Sequence, residues 1–425
     1  MTHAIARPAG ILPARKLRFG KCVGVGSVSV SIHNPDQYMA ALRTIIAQGR
    51  KRIGLLVGAG APAGMAKEDG SRPLIPAVAG LTDQVLKAID GTYHDQIAAL
   101  KGELTKHDIE TILSRVRSLS KVIGKSLVHK LDDDGYDKFG KSICTEIGKI
   151  VDVRLPTTPS AYTEIVNWIT GAAREYPVEI FTTNYDRLFE ESLEAVRAPY
   201  FDGFTGGLQP FFDPVSIARN DLPPRWTRLW KLHGSLGWDA KANGEVIRTG
   251  QNSATHLVFP EHLKYDQTQK APYAALFDRL RSFLGTPDTL LISIGFSFAD
   301  AHVAARIDEG LASNPSASVF AFQFNPLNEE TAACDLAKRR PNFSVYSPDQ
   351  AKVNGTRGRW VVPSELPSKD WGPIRSTYWG APSKDAPDQF LLGAIEQFSR
   401  FFSASRSMQA FTTAAPSVPA TGPVA

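Results

Sequence analysis

Five stretches of the chain place chemically capable residues where an apolar run gives way to a turn. "LLVGAGAPAG" carries Gly58, Ala59 and Gly60. Glycines at a strand-to-turn junction let the backbone approach a pyrophosphate with its amide N–H groups aimed at it. A plain turn uses them too, and the full G-x-G-x-x-G spacing of nicotinamide-dependent dehydrogenases is missing here. "IFTTNYDRLFEESLEAV" carries Asn184 and Asp186 between a strand and a helix. Both residue types cap helices, and both can equally stand in the crevice where open α/β sheets bind ligands. "KLHGS" puts His233 at another strand end. Histidine moves protons near neutral pH, or serves as a hydrogen-bonded structural residue. "SIGFSFAD" offers Gly295, Phe296 and Ser297, a backbone and a hydroxyl suited to a ribose or phosphate, and "FNP" adds Asn325. Converging on one edge of one sheet, these strand ends form a single site.

A sheet is needed to bring them together. Residues 22–32 alternate like a strand, and 35–49 read as a helix ended by Gly49. Apolar runs follow in "RIGLLVGAGAPAG", which enters a glycine-rich turn, at 180–183, at 228–238 with a turn, at 255–260, at 288–300 entering a turn, and at 317–326, with a short one at 359–363. From Tyr185, the spacing of Phe189, Leu193 and Val196 predicts a helix. Pro272 suits the first position of a helix over 272–284, and Asp300 can cap one carrying Val303, Ile307 and Leu311. Residues 81–175 are helical almost throughout, with Asp108 as a cap for the segment bearing Ile109, Ile112, Leu113, Val116 and Ile123. The expected fold is α/β: a doubly wound, Rossmann-like parallel sheet with a helical insertion and a small C-terminal appendage. The expected boundaries are a flexible basic arm at 1–20, a catalytic domain at 21–340 with the insertion at 81–175, an appendage at 341–404 ending in a helix of Leu391, Ile395, Phe398 and Phe402, and a low-complexity tail at 405–425.

The 425 residues are 43% hydrophobic and 21% charged, which suits a soluble protein with a proper core. A net charge of only +5 argues against a dedicated or sequence-specific nucleic-acid binder. No run approaches the roughly 18 apolar residues of a membrane span. The basic stretch "ARPAGILPARKLRFGK" lacks the apolar core of a secretory signal. Cys22, Cys144 and Cys334 form no C-x-x-C pair, so one chain cannot build a four-cysteine zinc site, and a cytoplasmic setting is expected.

Taken in order, G-A-G, T-x-N-x-D, H-G, G-[TF]-S and a final Asn resemble the motif series of the sirtuin family. The spellings "TTNYD", "LHGS" and "GFSFAD" resemble a divergent prokaryotic branch of NAD-consuming anti-phage effectors. The resemblance covers about residues 50 to 330. It implies an NAD+ site lined by Gly58, Ala59, Gly60, Asp186, Gly295, Phe296, Ser297 and Asn325, with Asn184 and His233 catalytic. Two departures matter: the cysteine ribbon of protein-deacylating sirtuins cannot form, and "APAGMAKEDGSRPLIP" replaces their loop after G-A-G. The expectation is therefore an NAD+ glycohydrolase without zinc, acting in defence as a homo-oligomer. The resemblance further implies a separate partner, a HerA-type hexameric ATPase ahead of a short Argonaute. An NAD-dependent deacylase or ADP-ribosyltransferase, and a non-enzymatic NAD+ or ADP-ribose sensor, are the alternatives.

Overall fold

The structure, a computed structural model, describes residues 31–241, 245–249 and 272–406. The arm at 1–20, the strand expected at 255–260 and the tail from 407 on lie outside those residues, as does Cys22. In chain order the main elements are β1 (Ser31–His33), α1 (Pro35–Gln48), β2 (Arg52–Val57), α2 (Gly60–Ala63), α3 (Val78–Glu103), α4 (Ile109–Val122), α5 (Asp133–Val151), α6 (Ala161–Thr170), β3 (Glu179–Thr182) and α7 (Leu188–Ala195). Then come β4 (Tyr200–Phe201), β5 (Phe204–Thr205), β6 (Phe211–Phe212), α8 (Pro214–Arg219), β7 (Thr227–Lys231), β8 (Trp238–Ala240), β9 (Val246–Arg248), α9 (Tyr273–Gly285), β10 (Thr289–Ile294) and α10 (Ala301–Ser313). The chain closes with β11 (Ser318–Phe322), α11 (Thr331–Arg339), β12 (Phe343–Tyr346), β13 (Gln350–Val353), β14 (Thr356–Trp360), α12 (Gly372–Tyr378) and α13 (Ile395–Arg406).

Among the described residues, ten strands form the main sheet in the order β1-β14-β13-β12-β11-β10-β2-β3-β7-β4. From β2 the chain runs outward through β3 and β7, then returns to β10 on the other side and runs out through β11 and β12. The order reverses between β2 and β10, and at such a switch point an open sheet leaves a crevice at its carboxyl edge. Each strand alternates between two cores. Leu55, Val57, Ile180, Leu229 and Ile292 face one hydrophobic cluster, while Leu56, Phe181, Trp230 and Leu291 face the other. Period-2 alternation with both faces apolar is what a sheet covered by helices on both sides requires. The expected helical insertion is the crossover between β2 and β3, and its Ile112, Tyr136 and Tyr162 bury into the first cluster. Asp108 caps α4, accepting from the Thr111 N–H at 2.8 Å.

Four expectations need correction. Residues 341–404 are not an appendage: β12, β13 and β14 extend the main sheet, β1 pairs with β14, and α13 packs on α6. Their apolar residues face the sheet core instead of a separate one, as with Phe343, Val345 and Tyr346, all at most 1% exposed. The strand expected at 359–363 is β14, Thr356–Trp360, set by its antiparallel pairing with β13. Helix α7 starts at Leu188, not Tyr185, because the Tyr185 carbonyl accepts from Leu236 N and the Asp186 carbonyl from the Lys231 ammonium. Val196 is consequently past the helix end and partly exposed. Small boundary shifts accompany these: Pro272 precedes α9, and α13 runs to Arg406.

Glycine is required where β2 and β10 end side by side. Gly58 N donates to the Ile294 carbonyl and Gly60 N to the Gly295 carbonyl, at 3.1 and 2.9 Å. Gly295 has φ +64°, and a Cβ there would sit 2.3 Å from the Ala61 nitrogen. Gly295→Ala should therefore cost about 2–4 kcal/mol, from left-handed strain and backbone collision together. Chemical denaturation checks this; an unchanged midpoint would mean the two turns do not pack this closely.

Candidate active site

Register explains how residues far apart in sequence meet. Val57 pairs with Thr182 on one side and Ile294 on the other; Thr182 pairs with Lys231 and Ile294 with Phe322. Those five residues form one row across the sheet, so whatever follows each of them stands on the same edge. The residues that follow are the sequence motifs. A cavity of about 740 Å³ opens there, within the range of small-molecule sites.

Ala59 and Gly60 after β2, Asn184 and Asp186 after β3, and His233 after β7 all line this cavity. So do Gly295, Phe296 and Ser297 after β10 and Asn325 after β11. Gly58 is the exception: it is not among the lining residues and acts from beneath, its carbonyl accepting from the Asn184 amide at 3.2 Å. The helical crossover supplies another wall through Val78, Leu81 and Thr111.

Asn184 is 8% exposed, and its Oδ1 has no hydrogen-bond partner among the described residues. Its other end is fixed: the backbone N–H donates to the Thr182 hydroxyl and the amide to Gly58. An orphaned buried acceptor costs about 1–3 kcal/mol, an expense that a bound hydroxyl or water would remove. It is not the helix cap. Arg187 stands at the cap position with no side-chain cap bond, and Asp186, one residue before it, satisfies the first helical N–H, its Oδ1 accepting from Leu188 N at 3.1 Å. Burial pushes the Asp186 carboxyl above its ordinary range, against the pull of the nearby Lys231 cation. Lys231, 2% exposed, is itself held by Glu190 at 3.1 Å.

His233 is 4% exposed, and its Nε2 lies 2.9 Å from Oδ2 of Asp300. Burial alone would raise the Asp300 carboxyl, but His233 and the N–H groups of Val303 and His302 hold it down to about 2. The sign follows from linkage. A depressed carboxylate contributes stability that is complete above its ordinary value near 3.9 and fades as pH falls through about 2. Asp300→Asn should remove that acid dependence, read as a flatter plot of unfolding midpoint against pH between about 2 and 5. An identical plot in both proteins would dissociate Asp300 from the pair.

Other lining residues were missed from sequence. Gln323 continues β11 and donates to the Phe296 carbonyl at 3.1 Å. Glu330 accepts from the Asn325 amide at 3.1 Å, and burial raises its carboxyl above the ordinary range. Neither carries a local motif; only the register that brings β11 beside β10 points to them. Asp300 was legible as a helix cap and not as the partner of a histidine 67 positions away.

Residues 178–344 match the SIR2-like domain family, so this part of the chain is sirtuin-like. The matched stretch contains Asn184, His233, Ser297 and Asn325, while the glycines after β2 precede it. No curated protein matches the chain. A solved structure reported under "Structural Basis for the Mechanism and Regulation of Sir2 Enzymes" aligns at 11% identity, covering 72% of this chain and 90% of that one, with a TM-score of 0.34. Cytosolic 5'-nucleotidase IIIB bound to cytidine aligns at 11% identity over 91% of this chain and 96% of its own, with a TM-score of 0.31. Neither overlap is close enough to carry an argument about activity.

Proposed function

We propose that the chain is an NAD+ glycohydrolase, converting NAD+ and water to ADP-ribose and nicotinamide. The observation that carries the reading is the unpartnered, buried Asn184 acceptor in the same cavity as the buried His233–Asp300 pair. The motif order and the SIR2-like match support NAD+ as the substrate. The glycine-lined turns after β2 and β10 offer close backbone approach for its pyrophosphate. In the reaction, the bond from the ribose anomeric carbon to nicotinamide breaks and its electron pair leaves with nicotinamide. Positive charge develops on the ribose, as in other glycoside cleavages. Water attacks the anomeric carbon and gives its proton to His233. Asn184 orients that water or the ribose hydroxyls through a neutral oxygen, which does not capture the cation as a carboxylate nucleophile would.

In this reading the chain depletes NAD+ during anti-phage defence, as the sequence resemblance implies. Uncontrolled depletion would harm the host. Assembly as a homo-oligomer, with a separate HerA-type ATPase as partner, is the proposed control, acting as a population shift toward the competent state. The test is turnover of NAD+ with no acylated peptide present, alone and with the partner. Nicotinamide and ADP-ribose in equal amounts support hydrolysis. Release only with an acyl-peptide supports a deacylase, and binding without any release supports a sensor.

A further inference from the structure

We propose that Asp300 is a positioning residue that holds His233 with its proton on Nε2 and so assigns the basic role to Nδ1. The inference rests on the reading of His233 as general base and adds a second residue and a named atom to it.

Asp300 divides its two oxygens between two tasks. Oδ1 caps α10, accepting from His302 N at 2.8 Å and Val303 N at 3.2 Å. That cap needs no second oxygen. Oδ2 instead turns to the end of β7, where Nε2 of His233 stands at 2.9 Å. The two side chains are only 9% and 5% exposed, so this is a buried contact, not a surface pairing. A carboxylate there has no proton to give, since Asp300 stays ionised down to about pH 2. The 2.9 Å approach lacks hydrogen-bond geometry among the described residues, but an anion this close to Nε2 favours a proton on that nitrogen over a lone pair facing it, and a neutral imidazole with Nε2–H carries its lone pair on Nδ1. A carboxylate behind the ring also stabilises the imidazolium formed once Nδ1 has taken a proton. The same division of labour operates wherever a buried carboxylate orients a catalytic histidine. Capping α10 fixes the carboxylate on a rigid element, which makes the helix cap the support of the pair.

Asn is the informative substitution, because it keeps the shape and is as good a cap as Asp. Asp300→Asn should fold with wild-type stability near pH 7 apart from the lost pair, and lower kcat for nicotinamide release by about 10²–10⁴-fold. KM should move little, and the acid limb of the kcat profile should move to lower pH because the imidazolium has lost its anion. A purely structural cap would leave that limb in place. A second measurement is independent of turnover: ¹⁵N resonances of the His233 ring, assigned by their loss in His233→Ala, should show the proton on Nε2 in wild type and lose that preference in Asp300→Asn. The proposal is overturned if Asp300→Asn keeps wild-type kcat and pH profile while His233→Ala is inactive, or if wild type carries the proton on Nδ1. If His233→Ala is itself fully active, or wild type releases no nicotinamide, it is the glycohydrolase reading that fails, and the ring resonances still decide the pairing.

Discussion

His233→Ala is expected to lower nicotinamide release by about 10²–10⁴-fold, the usual loss when a general base is removed. Asn184→Ala should be similarly inactive, for a different reason: it removes a buried acceptor in the cleft that no group among the described residues satisfies. Both side chains follow strand ends and do not fill the hydrophobic clusters, so neither truncation opens a large core cavity. The two variants should fold, and NAD+ should still bind, because the turns after β2 and β10 are untouched. Stopped-time assays of nicotinamide, run beside circular dichroism, separate the outcomes. Wild-type turnover in either variant would remove that residue from the chemistry. An unfolded variant would mean the residue is structural after all.

The second large effect concerns stability. Glu179 on β3 is 3% exposed and accepts from the Trp230 indole at 2.7 Å and from Nε of Arg279 at 2.8 Å, with a further ion pair to the Arg279 Nη2. It ties β3 to β7 and to α9 on one face of the sheet. Glu179→Ala would leave the Arg279 guanidinium, 13% exposed, without its anion and the Trp230 N–H without an acceptor. Breaking a buried pair from one side costs about 3–5 kcal/mol. Glu179→Gln should cost less, because the amide oxygen still accepts from Trp230. Urea denaturation of both variants measures the difference. Equal, small losses would show that solvent reaches Arg279 once Glu179 is gone.

The sheet was legible because its strands are apolar on both faces, and that pattern has one explanation in a parallel sheet buried by helices. The placing of the candidate residues along one edge was legible for the same reason. Five motifs follow five strands, and once those strands are parallel and in register the motifs must share an edge. Local rules failed where tertiary contacts outbid them. Tyr185 has helical spacing with Phe189, yet its carbonyl is taken by Leu236, which keeps the Asn184–Arg187 segment out of α7. The β12–β14 meander reads as a Pro- and Gly-rich appendage because its strands are short and partly polar; its place at the sheet edge depends on pairing with β11, which no local pattern encodes. Glu330 and the second role of Asp300 depend on contacts between strands distant in sequence. Gly58 reads as a lining residue, but its place under Asn184 follows from β2 lying against β3, again a matter of neighbours.

The central claim is that these strand ends make one NAD+ site with the glycosidic bond between Asn184 and His233. The most direct test is a crystal structure of the His233→Ala chain with NAD+ bound. The account predicts the dinucleotide in the crevice between β2 and β10, its pyrophosphate against Ala59–Gly60 and Gly295, and its nicotinamide ribose beside Asn184. NAD+ bound elsewhere, or bound here with its nicotinamide end turned away from Asn184 and position 233, would contradict it.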